Sequence, residues 1–216
     1  MLTVELSISA SALKRRHAGA IAALILLSLL CSLSGLSVHQ SIFNCWEAFV
    51  WGIADPVVSL NSLASLVAIG LFCAGINRGA LIGASFLSAA VFGTVIHLFN
   101  VNLAGAETGI AVSTIAVGAM LMMSIQPNWL LLSAVGAIAG LFQGYASAES
   151  IIDTEIIPLV IYVLGVAVTQ CAVMMSAREI YPMLPSKIGF AGLTFCAIGI
   201  AFLGNAVHCV MFSFLS

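Results

Sequence analysis

An all-α, polytopic transmembrane bundle of six to seven helices, one of them broken near Asp55-Pro56, is the fold class that three observations predict. The 216-residue chain is 62% hydrophobic and only 6% charged, against roughly 25% charged residues in soluble domains. Its mean hydropathy is +1.21. The apolar residues fall into stretches of membrane-spanning length, and the few basic residues alternate between them in a way that fixes one consistent threading. With six Lys plus Arg, eight Asp plus Glu and a formal charge of -2, no basic surface is left for nucleic acid.

A helix crossing the hydrocarbon layer needs about 20 mostly apolar residues, because unpaired backbone groups are not tolerated there. The stretches that qualify are about 18–38, 44–76 as one broken unit, 79–99, 107–125, 128–146, 154–177 and 188–213. The first is open to two readings. Lys14-Arg15-Arg16 followed by AGAIAALILLSLLCSLSGLS has the basic start, apolar run and small-residue exit of a secretory signal cleaved near Ser37. It is also long enough to be retained as a spanning helix. Residues 1–38 are therefore a signal-like segment or a first helix, and 39–216 the bundle proper.

The second unit, GIADPVVSLNS at Gly52–Ser62, carries an acid, a proline and an asparagine. Proline lacks an amide proton and clashes with the preceding turn. A tilted or re-entrant helix over about 44–54 is expected to end near Asp55, with a full helix starting near Ser59 and Asp55 or Asn61 capping its free amides. Broken helices also place dipoles and unpaired carbonyls at substrate sites.

With the N-terminus inside, Lys14, Arg15, Arg16, Arg78, Arg178 and Lys187 all fall at cytoplasmic helix ends, as basic residues do in short loops. Glu47, Asp55, Glu107, Glu149, Asp153 and Glu155 then lie at or near the outer face. Gly19, Gly75, Gly93, Gly118, Gly140, Gly165 and Gly199 sit in or beside the spans, where small residues let membrane helices approach closely. The six cysteines are scattered singly and read as packing residues, not as a redox or zinc module.

Polar groups gather toward the outer ends. Gln143 and Ser147 in FQGYASAES are four apart and share a helix face, with Glu149 just beyond. His97 closes the third span, Glu107 opens the next after Asn100 and Asn102, and His208 and Cys209 approach from the last. Together they would line an outward vestibule of carboxylate, amide, hydroxyl and imidazole groups. Nickel, cobalt and zinc favour several clustered imidazoles or thiolates, whereas His97 stands alone in sequence and suits a packed, hydrogen-bonded position, a proton path or a metal ligand. An oxygen-rich site for a weakly held cation is an alternative that these residue types leave open. No clustered Ser/His/Asp or Cys/His arrangement, nucleotide loop or HExxH is present, so an enzyme is not expected.

The order of these motifs resembles the HupE/UreJ family, small membrane proteins encoded with hydrogenase or urease systems and regarded as nickel or cobalt permeases, with the best match over about 45–177. The family reads GFxHPxxGxDH at the first break; this chain keeps Gly52 and Pro56, with Asp55, Asn61 and Ser62 at the family's histidine, aspartate and histidine. Glu107 matches the family's loop glutamate. FHGxAHGxE becomes FQGYASAES, so Gln143 and Ser147 replace two more histidines while Phe142, Gly144, Ala146 and Glu149 remain. Tyr162 and Gly165 match, and a further helical histidine falls near Met174.

The resemblance implies a permease in the cytoplasmic or inner membrane of a prokaryote-type cell, carrying a divalent transition metal or another small cation. No resident cofactor is implied, only transient nickel or cobalt. Asp55, Glu107, Glu149 and His97 are the expected metal ligands, and Asn61, Ser62, Gln143 and Ser147 the further transport residues. The alternative is a non-transporting structural or assembly subunit among other membrane proteins. Without an ATPase segment, cation uptake would draw on the membrane potential, about 2.3 kcal/mol per charge per 100 mV.

Overall fold

The structure is a computed structural model that describes residues 2–34, 44–99, 105–123, 128–149, 151, 156–184 and 187–215. Ser37, Asn100, Asn102, Asp153 and Glu155, which bore on the expectations above, lie outside the described residues. The chain forms α1 (Leu2–Ser34), α2 (Cys45–Val58), α3 (Leu60–Ala74), α4 (Gly79–Leu98), α5 (Ala106–Met122), α6 (Trp129–Glu149), α7 (Ile156–Ile180) and α8 (Ile188–Leu215), with a 3-10 turn at Tyr181–Met183. Among the described residues, five helices are long and apolar enough to cross a membrane, and the α2–α3 pair, bent by 78°, makes a sixth unit. At 1.5 Å per residue the 17 residues of α5 span about 25 Å, slightly short of a hydrocarbon core of about 30 Å.

At the centre stands α3. Every residue from Asn61 to Cys73 is buried, as expected of a helix that is apolar all round. It packs against α7 and α5 and touches α1, α2, α4 and α8. Gly70 lies against Met174 and Ala177 of α7, and Gly75 against the Tyr181 ring just beyond it. The two helices therefore run parallel, and nine residues before Gly70 the first turn of α3 lies level with about residues 165–168 of α7.

Three outer pairings hold this centre, each through glycines that bring two backbones together. On α6, Gly136, Gly140 and Gly144 recur every fourth residue and meet Ile82, Phe86 and Ala90 of α4, which share that spacing. Thr94 reinforces the pair, its hydroxyl donating to the carbonyl oxygens of Ala90 at 3.2 Å and Gly144 at 3.1 Å. On α5, Gly118 meets Gly192 and Cys196 of α8, and Gly199 of α8 meets Ala111 and Ile115. Gly52 of α2 faces the Tyr162 carbonyl and Gly165 of α7. In a bilayer no hydrophobic force drives helices together, so such close contact supplies the attraction through packing.

The break falls later than Pro56 alone implies. Helix α2 continues through Pro56 to Val58, and the chain turns at Ser59, whose backbone is extended at φ -80° and ψ 112°. A proline forfeits one donor of its own but does not oblige the helix to stop at once. Ser59 is where a new helix can be capped: its hydroxyl accepts from the Ser62 amide at 3.4 Å. The observed cap is thus Ser59, where Asp55 or Asn61 was expected. Helix α1 begins far earlier than residue 18, and its membrane-length portion is Arg15–Ser32.

A methyl group at Gly144 would run into the Ala90 carbonyl, whereas Gly204 has nothing within 4 Å of the same position. Gly144→Ala is expected to lower stability in detergent by about 1–3 kcal/mol, the usual range for overpacking, while Gly204→Ala leaves it unchanged. Thermal melts followed by size-exclusion chromatography measure both, and equal melting of the two variants would contradict the packing described.

Candidate functional site: a buried polar layer

The site begins at the α2–α3 break, where the backbone is well provided for. The Ser59 amide reaches the Asp55 carbonyl at 3.5 Å and the Leu63 amide reaches the Ser59 carbonyl at 2.9 Å. From α1, the Ser28 hydroxyl, itself fully buried, donates to the Val58 carbonyl at 3.2 Å. An exposed carbonyl at such depth costs several kcal/mol, and a neighbouring helix supplies the donor.

Several helices bury polar side chains that carry no charge. Asn61, Ser62 and Ser65 come from α3, Ser113 and Thr114 from α5, Gln143 and Ser147 from α6, and Thr169 and Gln170 from α7, all of them buried. The Ser113 and Thr114 hydroxyls donate back to the Ile110 carbonyl of their own helix at 2.8 Å each. Tyr162 of α7 donates through its hydroxyl to the Ser147 carbonyl at 2.9 Å. This bond ties the outer parts of α6 and α7 together, with Gln143 one turn below Ser147 on the face the two residues share. Gln170 lies two turns below Tyr162 on the buried face of α7.

Here the accounting does not close. Gln143 is 0% exposed and Gln170 1%, yet neither Nε2 nor Oε1 of Gln143, nor Nε2 of Gln170, has a hydrogen-bond partner in the protein. Asn61, 6% exposed, has Oδ1 in the same condition. Leaving a buried donor or acceptor unmatched costs about 1–3 kcal/mol, and native structures contain few such groups. For Gln143 both ends of the amide are unmatched, so exchanging its oxygen and nitrogen positions does not change the conclusion.

The remaining residues singled out in the sequence are dispersed. Asp55 is half-buried within α2 beside Pro56. Glu107, in the first turn of α5, and Glu149, at the end of α6, are exposed. The His97 ring stands edge-on to Tyr145 with centroids 4.8 Å apart, and its Nδ1 is buried without a protein partner. His208 is exposed on α8. Among the described residues no three of His, Cys, Asp and Glu come together as a metal ion would require. Asn61, Ser62, Gln143 and Ser147 are the expected residues that occupy the bundle interior.

Gln170, Thr169, Ser65 and Thr114 belong to the same interior and were not singled out. The signal for Gln170 was present, since it is the lone amide within an apolar span of α7 and intramembrane polar residues face the bundle interior.

A polytopic helical membrane bundle with a broken central element and an uncharged polar interior is thereby defined. The HupE / UreJ protein family profile matches residues 26–207, and the chain belongs to that permease-like membrane family. No curated protein and no solved structure matches it.

Gln143→Met removes both unmatched atoms at nearly constant shape. Its stability in detergent is expected to equal or exceed that of the parent by up to about 3 kcal/mol. A loss of more than 1 kcal/mol on chemical or thermal unfolding would show that the amide is bonded within the fold.

Proposed function

We propose that the protein is a divergent permease that passes a small solute across the bilayer through the polar interior of the bundle in which Gln143 is buried. The observation that carries this reading is Gln143, fully enclosed with both amide atoms unmatched by the protein. A helix bundle that only held a complex together would gain stability by replacing such a residue with an apolar one. Retaining it has a use if a passing solute supplies the partners.

Family membership supports a transport role and, with it, a divalent transition metal or other small cation as the cargo. Such an ion would meet Glu107 and Glu149 at one end of the bundle, and Asp55, His97 and the oxygens of Asn61 and Gln143 further in. Replacement of the family's imidazoles by amide and hydroxyl groups makes this a harder and weaker donor set, poorly matched to nickel or cobalt. Arg78, stacked 4.9 Å over the Trp129 ring, lies at the helix ends opposite Glu107 and Glu149, which supports placing that end in the cytoplasm. Ser28, fully buried in α1 and bonded to α2, favours retention of α1 as part of the bundle.

Purified protein in sealed liposomes, assayed against nickel, cobalt, magnesium and small polar solutes, tests the proposal. At least one solute should cross faster than in empty liposomes, and Gln143→Met should reduce that rate at least tenfold. Permeability no greater than that of empty liposomes for every solute would contradict it.

A further inference from the structure

The unmatched groups also bear on what kind of solute passes, an inference that rests on the permease reading. Of the six such atoms among the described residues, Asn61 Oδ1 and Gln143 Oε1 are acceptors, Gln143 Nε2 and Gln170 Nε2 are donors, and His97 Nδ1 and Ser133 Oγ complete the set. A bare cation satisfies oxygens only. An amide NH2 turned toward a metal ion places positive hydrogens against positive charge, so at Gln143 one half of the side chain would be repelled whichever way the amide is turned. A solute with both O–H or N–H donors and oxygen acceptors matches both halves at once.

Charge gives an independent argument. Among the described residues the buried Ser, Thr, Asn and Gln side chains are neutral hydroxyls and amides, and the one unmatched buried ring nitrogen is Nδ1 of the half-buried His97. Moving even a singly charged ion from water into a medium of low dielectric costs of the order of 20 kcal/mol in the idealised case, and a divalent ion costs more. Channels and carriers that pass ions offset this cost with carboxylates, with several converging carbonyls or with water-filled pores. Of the acids singled out in the sequence, Asp55 is half-buried in α2, and Glu107 and Glu149 are exposed. An uncharged solute incurs no such penalty and needs only the hydrogen bonds it gives up in water to be replaced.

We infer that the enclosed, doubly unmatched amide of Gln143 marks a binding site for a small uncharged solute that both donates and accepts hydrogen bonds, of the size and chemistry of a short polyol or simple amide. Gln143 is the residue that contacts it on both counts, and Asn61 Oδ1 and Gln170 Nε2 are the further buried amide atoms left unmatched by the protein. The site discriminates against metal ions by the very NH2 groups that bind the neutral solute.

The test uses the full-length protein in liposomes, with glycerol and acetamide permeation followed by stopped-flow light scattering and nickel and cobalt uptake followed in parallel. Glycerol or acetamide should cross at least tenfold faster than in empty liposomes, with no cation uptake above background. Gln143→Met should lower the solute rate at least tenfold and Gln170→Met at least fivefold, while Gly204→Ala retains it. Cation uptake without permeation of either neutral probe would overturn the inference and leave the permease reading intact. Absence of both fluxes would overturn the two together. Neutral-solute flux unchanged in well-folded Gln143→Met would overturn the assignment of the site.

Discussion

The rest of this structure depends on how backbone groups released at the α2–α3 break are satisfied in a medium with no water to offer. Three bonds do it. The Ser59 hydroxyl caps the new helix, the Asp55 carbonyl receives the Ser59 amide, and Ser28 reaches across from α1 to the Val58 carbonyl. With its start secured in this way, α3 can be short, bent by 78° from its partner and buried on every side. Glycine contacts then close the outer helices around it, because small residues are what allow backbones to meet where lipid is as apolar as any side chain.

Against that thoroughness the amide side chains deeper in the bundle stand out. The chain satisfies the carbonyls at its own break but leaves Gln143 with neither half of its amide matched. Both features are subject to the same free-energy rule, and natural sequences break such rules chiefly where function requires it. The polar layer and the break are also close in depth, since parallel packing of α3 on α7 sets Asn61 about a turn above Gln170. A broken helix beside unmatched polar groups is the arrangement by which membrane carriers expose a site to a solute.

The fold was legible in the sequence because its causes are local. Apolar length gave the spans, and glycines such as Gly140 within them pointed to close helix packing, although only the structure shows Gly136, Gly140 and Gly144 meeting Ile82, Phe86 and Ala90. Pro56 correctly announced a break but not its position, because the turn waits for a residue able to cap, and the spacing of proline alone cannot say that Ser59 does so. The site was legible only in part. Gln143 and Ser147 were found through their shared face and their place in the family's motif. Gln170 was passed over because it lies in no motif, and its significance comes from burial without a partner, which is a tertiary fact. The outer carboxylates Glu107 and Glu149 lie exposed at the start of α5 and the end of α6.

The central claim is that a small polar species reaches Gln143 although the protein itself offers it nothing. Cysteine accessibility tests this most directly: with the six native cysteines replaced, a single Gln143→Cys variant in sealed vesicles is exposed to a small, water-soluble thiol reagent. Labelling within minutes, slowed by millimolar glycerol or acetamide, is the result expected of a solvated passage. A thiol that stays unreactive while the protein is folded, and reacts only on unfolding, would show a sealed core and contradict the account.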